Sequence, residues 1–253
     1  MTTVALINQK GGVGKTTAAV NLSACMANLN KSVLTIDFDP QKNMTCTLNK
    51  GEVESRHLPS LYNVFLGDNV NDVIIKTPFG IDLIPSNNNL SDLQIKLTGG
   101  KNQNTFLRDH IKRIFTKYDY AFIDCPPTLN IQTINALMAC DKILIPVTPS
   151  NYAIQGLTDI IRSITQVKSA NPDLEYYVFI SRYDSRRNIS HHIFSMLVKA
   201  LDNNFLKTVI RENVDVEYSQ ENSMPLIFYN NTCNAAQDYK NLTEEILRLW
   251  ETK

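Results

Sequence analysis

Three short clusters in the 253-residue sequence carry the residue types that phosphate-ester chemistry needs. The first is Lys10-Gly11-Gly12-Val13-Gly14-Lys15-Thr16-Thr17, which follows an apolar run and precedes an Ala- and Leu-rich stretch. Its glycines permit backbone conformations closed to other residues, so successive N–H groups can curl around a phosphate at the start of a helix. Lys15 would neutralise β- and γ-phosphate oxygens, and the Thr16 hydroxyl would ligate Mg²⁺. The ordinary phosphate-loop pattern asks for a glycine five residues before Gly14, where this chain has Gln9, so the match departs by one letter. A plain glycine-rich strand-to-helix turn would explain the glycines but not the Gly-Lys-Thr that follows. The second cluster, Ile36-Asp37-Phe38-Asp39-Pro40-Gln41, sets two carboxylates two residues apart. Asp39 would orient an attacking water and Asp37 would support the metal shell. The third is Asp124, delivered by Ala121-Phe122-Ile123 and followed by Cys125-Pro126-Pro127. A carboxylate at the end of a buried strand is costly without a cation, and a phosphate-bound Mg²⁺ would supply one. Each aspartate read alone could be a turn or cap residue; three at strand ends favour a site.

The elements that must position these clusters follow from periodicity. Apolar β-rich runs at 4–7, 32–36, 81–84, 120–123, 142–147 and 176–180 predict short buried strands. Helical spacing at 16–29, 103–115, 131–139, 154–169 and 191–203 fills the gaps, and 241–250 predicts a closing helix. Residues 87–104, with Asn87-Asn88-Asn89 and Gly99-Gly100, read as surface turns around a short helix. Strands that are apolar at consecutive positions belong to a parallel sheet covered on both faces, so the fold class is α/β, with a mostly parallel central sheet and helices on both sides. Ligands of such sheets bind beyond the carboxyl ends of the strands, where all three clusters fall.

Composition agrees with one globular domain over 1–253: 43% of residues are apolar and 20% charged. Twenty-five Lys and Arg balance 25 Asp and Glu, so any nucleic-acid contact must come from a local patch. The cysteines, Cys25, Cys46, Cys125, Cys140 and Cys233, contain no CxxC pair and suggest neither a disulfide framework nor a zinc site. They read as small core residues in a reducing, cytoplasmic setting. The beginning of the chain has no leader pattern, and no run of about 18 apolar residues occurs.

Taken together, KGGVGKTT, IDFDPQ and FIDCPPT resemble the deviant Walker A, Walker A′ and Walker B motifs of the ParA/Soj partitioning ATPases, P-loop NTPases of the wider group that includes MinD. The likeness extends through INALMACDKILIPVTPSNYAIQGL and the terminal region, essentially the whole length. It implies an ATP hydrolase that uses ATP and Mg²⁺, forms a homodimer when ATP-bound, binds non-specific duplex DNA, and answers to a ParB-like centromere-binding protein. It implies that Lys10 reaches across the dimer interface to the other copy's phosphates, doing the work of an arginine finger. It also implies that Asp39 is needed for hydrolysis and that Asp124 is the Walker B carboxylate. Ile210-Arg211-Glu212-Asn213-Val214 stands where the family has I-P-R-N-V, so of its adenine contacts only Asn213 carries over.

The resemblance implies basic DNA contacts near Arg186 and at the position of Asp215, which reverses the charge; with the surrounding basic patch, the expected DNA contacts are Arg186, Arg187 and Lys207. Residues 182–211 hold six basic and two acidic residues; 212–225 hold four acidic residues and no Lys or Arg. The adjacent His191 and His192 read as surface residues, and Trp250 as a core anchor for the last helix. Three rivals share the motifs. A MinD-like membrane ATPase would need a basic amphipathic C-terminal helix, whereas this ending carries three glutamates. An iron–sulfur carrier would need paired cysteines. A ParA-like ATPase that positions a non-DNA cargo would differ only in its cargo surface. No membrane partner is expected, and the ATP-bound form is expected on the nucleoid.

Overall fold

The computed structural model describes residues 1–50, 58–93, 103–150 and 152–251. The six expected strands form as β1 (Thr2–Leu6), β2 (Val33–Asp37), β4 (Asp82–Ile84), β5 (Tyr120–Asp124), β6 (Lys142–Val147) and β7 (Glu175–Ile180). A two-residue strand, β3 (Ile75–Lys76), pairs antiparallel with β4 at one edge. The seven-stranded order is β3-β4-β2-β5-β1-β6-β7, and every other pairing is parallel.

Side chains alternate between two buried faces, which is why the strands read as continuously apolar. On one face Val4, Leu6, Phe122, Leu144 and Phe179 pack beneath α1 (Lys15–Asn28) and α10 (Asn234–Glu251). On the other, Ala5, Ile36, Ile123, Ile145 and Ile180 pack beneath α5 (Ile131–Ala139), α6 (Ala153–Val167) and α7 (Asn188–Leu201). Helix α1 is buried almost all round because α10 lies against its outer side, and its Ala18, Ala19 and Ala24 are fully enclosed. Truncating a side chain such as Leu6 or Phe122 here would cost about 2–5 kcal/mol.

Strand β1 lies between β5 and β6, and the chain leaving it passes over β5 to build β2. That reversal opens a crevice at the carboxyl end of β1. Six helices besides β3 depart from the sequence reading. Helices α2 (Asn43–Leu48), α3 (Leu61–Phe65), α8 (Val214–Glu221) and α9 (Leu226–Tyr229) had no strong periodic signal. The 103–115 helix is only α4 (Phe106–Ile111), continued as a 3₁₀ segment, Lys112–Lys117. Within 87–104, a 3₁₀ turn covers Asn88–Asp92, and Gly99-Gly100 lies outside the described residues. Helix α10 starts at Asn234, well before the expected 241.

Candidate functional site

The loop between β1 and α1 is pinned from both sides before any ligand is considered. Asn8 donates from Nδ2 to the Pro146 carbonyl at 2.8 Å and accepts the Lys10 N–H at 2.9 Å. From the end of β7, Ser181 Oγ donates to the Val13 carbonyl at 2.7 Å. Gly12 (φ 71°) and Gly14 (φ 88°) occupy the left-handed region, so a side chain at either would strain the turn. Gly14 is also the N-cap of α1 and brings no capping side chain, so the first-turn N–H groups are left for a ligand. The loop lines a cavity of about 490 Å³, shared with Asp39, Pro127 and Gln220.

Strand register assembles the acids. Asp124 is paired with Leu6 on one side and with Asp37 on the other, so parallel pairing alone sets the two carboxylates side by side. Both are 0% exposed. Burial, and then the neighbouring Asp37, hold the Asp124 carboxyl well above the usual range, against the opposing pull of Thr16 and Lys15. Thr16 Oγ1 donates to Asp124 Oδ2 at 2.6 Å, while Asp124 Oδ1 is buried with no hydrogen-bond partner among the described residues. Lys15 is only 7% exposed; burial lowers its pKa, and Asp124 is the largest influence raising it.

This donor set fits Mg²⁺. A threonine hydroxyl and an unsatisfied carboxylate oxygen sit beside a phosphate-sized cradle, and a hard cation bound through substrate phosphates keeps water in its remaining positions. Among the described residues, no group of three or more His, Cys, Asp or Glu is arranged as a metal cage.

Asp37 and Asp39 have different surroundings. Asp37 Oδ2 accepts from the Thr45 N–H at 2.8 Å and from Thr45 Oγ1 at 2.7 Å, and Oδ1 accepts the Asp39 N–H at 3.2 Å. Burial pushes its pKa up to about 7. These bonds turn Asp37 toward protein, and it does not line the cavity; Asp39 does, with Oδ1 accepting the Gln41 N–H at 2.9 Å.

The remaining candidates are dispersed. Lys10 is exposed, and its carbonyl accepts from Lys15 Nζ at 3.5 Å. Asn213 caps α8 by accepting the Asp215 N–H at 2.8 Å, and it lines a second cavity of about 240 Å³ together with Gly12 and Thr17. Between the cavities, Gln220 Nε2 donates to Thr17 Oγ1 at 2.8 Å. Arg186 and Arg187 lie in the turn before α7, whereas Lys207 lies beside α10, its N–H donating to Glu245 Oε1 at 2.7 Å. Arg186 is chelated by Asp184 at 2.9 and 3.0 Å, Arg182 pairs with Glu212 at 2.7 Å, and Arg211 pairs with Asp238 at 2.6 Å. The two charged residues that replace the family's proline and arginine therefore each have a partner. His191 does more than face water, since its ring contacts Tyr183 Oη at 3.1 Å and the Ser185 carbonyl at 2.8 Å. Cys125 is buried, and burial pushes its thiol up, away from nucleophilic character. Sequence reading missed Asn8, Thr45, Ser86 and Gln220, each of which meets at least one partner only through a tertiary contact; for Thr45 the nearby Asp37-Phe38-Asp39 segment was the one hint.

Comparison with known proteins agrees with this geometry. A family model described as an AAA domain (AAA_31) matches residues 1–176. The chromosome partitioning protein ParA of Caulobacter vibrioides is 36% identical over 250 residues, covering 96% of this chain and 93% of the relative. The sporulation initiation inhibitor protein Soj of Bacillus subtilis is 36% identical over 249 residues, covering 96% and 97%. Among solved structures, cobyrinic acid a,c-diamide synthase from Mycobacterium smegmatis with bound ADP and magnesium superposes with a TM-score of 0.86 at 26% identity, covering 100% of this chain and 96% of that one.

Proposed function

Because the chain belongs to the ParA/Soj family of P-loop ATPases, we propose that residues 1–253 act as one ATP-hydrolysing domain that switches DNA partition by its nucleotide state. ATP joins two copies face to face, the dimer holds duplex DNA regardless of sequence, and hydrolysis, accelerated by a ParB-like partner, releases it. The ATP-bound form resides on the nucleoid and the released form in the cytoplasm.

The observation that carries this reading is the opposite disposition of two lysines on one loop. Lys15 is buried and lines the phosphate cavity, while Lys10 is exposed and does not line it. A lysine beside a phosphate cradle but turned out of it suits a role in another copy's site. In this reading the N–H groups of Gly11 to Thr17 cradle the phosphates and Lys15 neutralises them. Thr16 and Asp124 hold Mg²⁺, which supplies charge that offsets the phosphate oxygens when bound. Asp39 orients the attacking water, and Asn213 meets the base. Each copy's Lys10 adds a second cation to the other copy's phosphates, which both joins the copies and stabilises charge developing in the transition state.

The ion pairs that tie up Arg182, Arg186 and Arg211 favour a second reading, in which the same switch positions a cargo other than DNA. Both readings share the dimer. Its test is size-exclusion chromatography with saturating Mg-ATP. The Asp39→Ala protein is expected to elute as a dimer and the Lys10→Ala/Asp39→Ala protein as a monomer that still binds ATP. A dimer of undiminished stability in the double variant would contradict the cross-subunit role of Lys10.

A further inference from the structure

Asp39 is held by a closed ring of hydrogen bonds whose other members are Asp37, two residues before it, and one residue from each of two further segments, Thr45 and Ser86. Its N–H donates to Asp37 Oδ1 at 3.2 Å. Thr45 Oγ1, on α2, donates to Asp37 Oδ2 at 2.7 Å. The same Thr45 oxygen accepts the Ser86 N–H at 2.9 Å, just past the end of β4. Ser86 Oγ then closes the circuit by donating to the Asp39 carbonyl at 2.6 Å. Asp37 and Thr45 are 0% exposed and Ser86 1%. The Asp39 N–H is thus fixed by a buried carboxylate and its carbonyl by the buried Ser86 hydroxyl together with the Lys42 N–H at 2.9 Å, while its side chain faces the phosphate cavity.

We propose that Thr45 and Ser86 are positioning residues for hydrolysis, which fix where the Asp39 carboxylate stands relative to the phosphate loop. The inference rests on the reading of Asp39 as the residue that orients water. Its physical ground is that a water-orienting carboxylate works only within a narrow geometry, and a 1 Å displacement of a positioned group can cost roughly 100-fold in rate. A hydrogen bond to the main chain on each side of a residue constrains its Cα and therefore the origin of its side chain. Asp37 is the shared acceptor of the ring. Its carboxylate oxygens are committed to Thr45 and to the Asp39 backbone, so it serves the site through Asp39. Ser86 stands two residues past the end of β4, so the ring ties the site's geometry to that outer strand. Neither Thr45 nor Ser86 lines the cavity, which separates them from the groups that bind nucleotide.

The test compares Asp39→Ala, Thr45→Val, Thr45→Ser and Ser86→Ala in the full chain by single-turnover hydrolysis of bound ATP, alongside ATP affinity. Thr45→Val and Ser86→Ala are expected to hydrolyse roughly 10- to 100-fold more slowly with ATP affinity within about twofold of the parent. Thr45→Ser, which keeps the hydroxyl, is expected to hydrolyse at the parent rate. If Asp39→Ala hydrolyses normally, the reading of Asp39 fails and the inference falls with it. If Asp39→Ala is inactive but Thr45→Val and Ser86→Ala keep the parent rate, the positioning role alone is overturned. It is also overturned if affinity falls in step with rate and Thr45→Ser brings neither back, since that pattern marks a general loss of structure.

Discussion

In the proposed mechanism a buried lysine with a lowered pKa and an exposed lysine five residues before it divide the work of one loop. Lys15 stands between buried Asp124 and the phosphate cavity, and its ammonium has lost most of its hydration. Phosphate oxygens would return the interactions that burial removed, so most of its contribution is realised only with ligand bound. Lys15→Ala is therefore expected to weaken ATP binding about 100-fold, on the order of 3 kcal/mol, as charge-assisted bonds of this kind are worth. Calorimetric titration of ATP checks this; affinity within threefold of the parent would count against it. The phosphate loop was legible in sequence because Gly-Lys-Thr is a local pattern, Asp37 and Asp124 because each ends an apolar strand, and Asp39 because it follows two residues past one. What Asp37 bonds to was not legible. Thr45 lies on a helix without a periodic signal, and Ser86 arrives from β4 through a long-range approach that no short window contains.

Elements built from consecutive apolar residues came through from the sequence nearly intact, and those held mostly by their neighbours did not. Strand β6 and helix α5 have the expected bounds, since Lys142–Val147 is continuously apolar past its lysine and Ile131–Ala139 begins at an asparagine cap. Helix α8 was invisible because only Ser219 of its eight residues is buried, so it has no apolar stripe. Strand β3 is two residues at a sheet edge. For α8 the decisive residue is its cap. Asn213 Oδ1 satisfies the Asp215 N–H, and the same side chain lines the second cavity. Asn213→Ala is expected to lose about 1 kcal/mol of stability through the cap, together with part of the ATP affinity. Asn213→Asp keeps a good capping oxygen and removes the amide N–H donors, so it is expected to lose affinity with its melting temperature unchanged. Thermal melts and ATP titrations of both variants check this, and equal melting losses in the two would place the effect in the cap geometry alone.

At the scale of the whole molecule, the sheet delivers its ligand-binding edge to one side, and a ligand there can favour an assembly only by binding it more tightly than the separate copies. No helix among the described residues is long and apolar enough to cross a membrane. With no net charge on the chain, the proposed DNA affinity would have to come from a few phosphate contacts, counted twice in the proposed dimer. Arg186 is 87% exposed yet chelated by Asp184, whereas Arg187 beside it stands in no ion pair among the described residues. Arg187→Ala is accordingly expected to weaken DNA binding more than Arg186→Ala does, and to lower the magnitude of the salt slope by about one. Equal effects of the two variants would remove the distinction drawn from the Asp184 pair. The central claim, that nucleotide state governs attachment to DNA, is tested most directly by measuring binding to a non-specific duplex with ATP, with ADP and without nucleotide, each at low and high salt. Binding seen only with ATP and collapsing as salt rises is the expected result. ATP-driven dimerisation with no DNA binding in any nucleotide state would contradict the claim and leave the switch to another cargo.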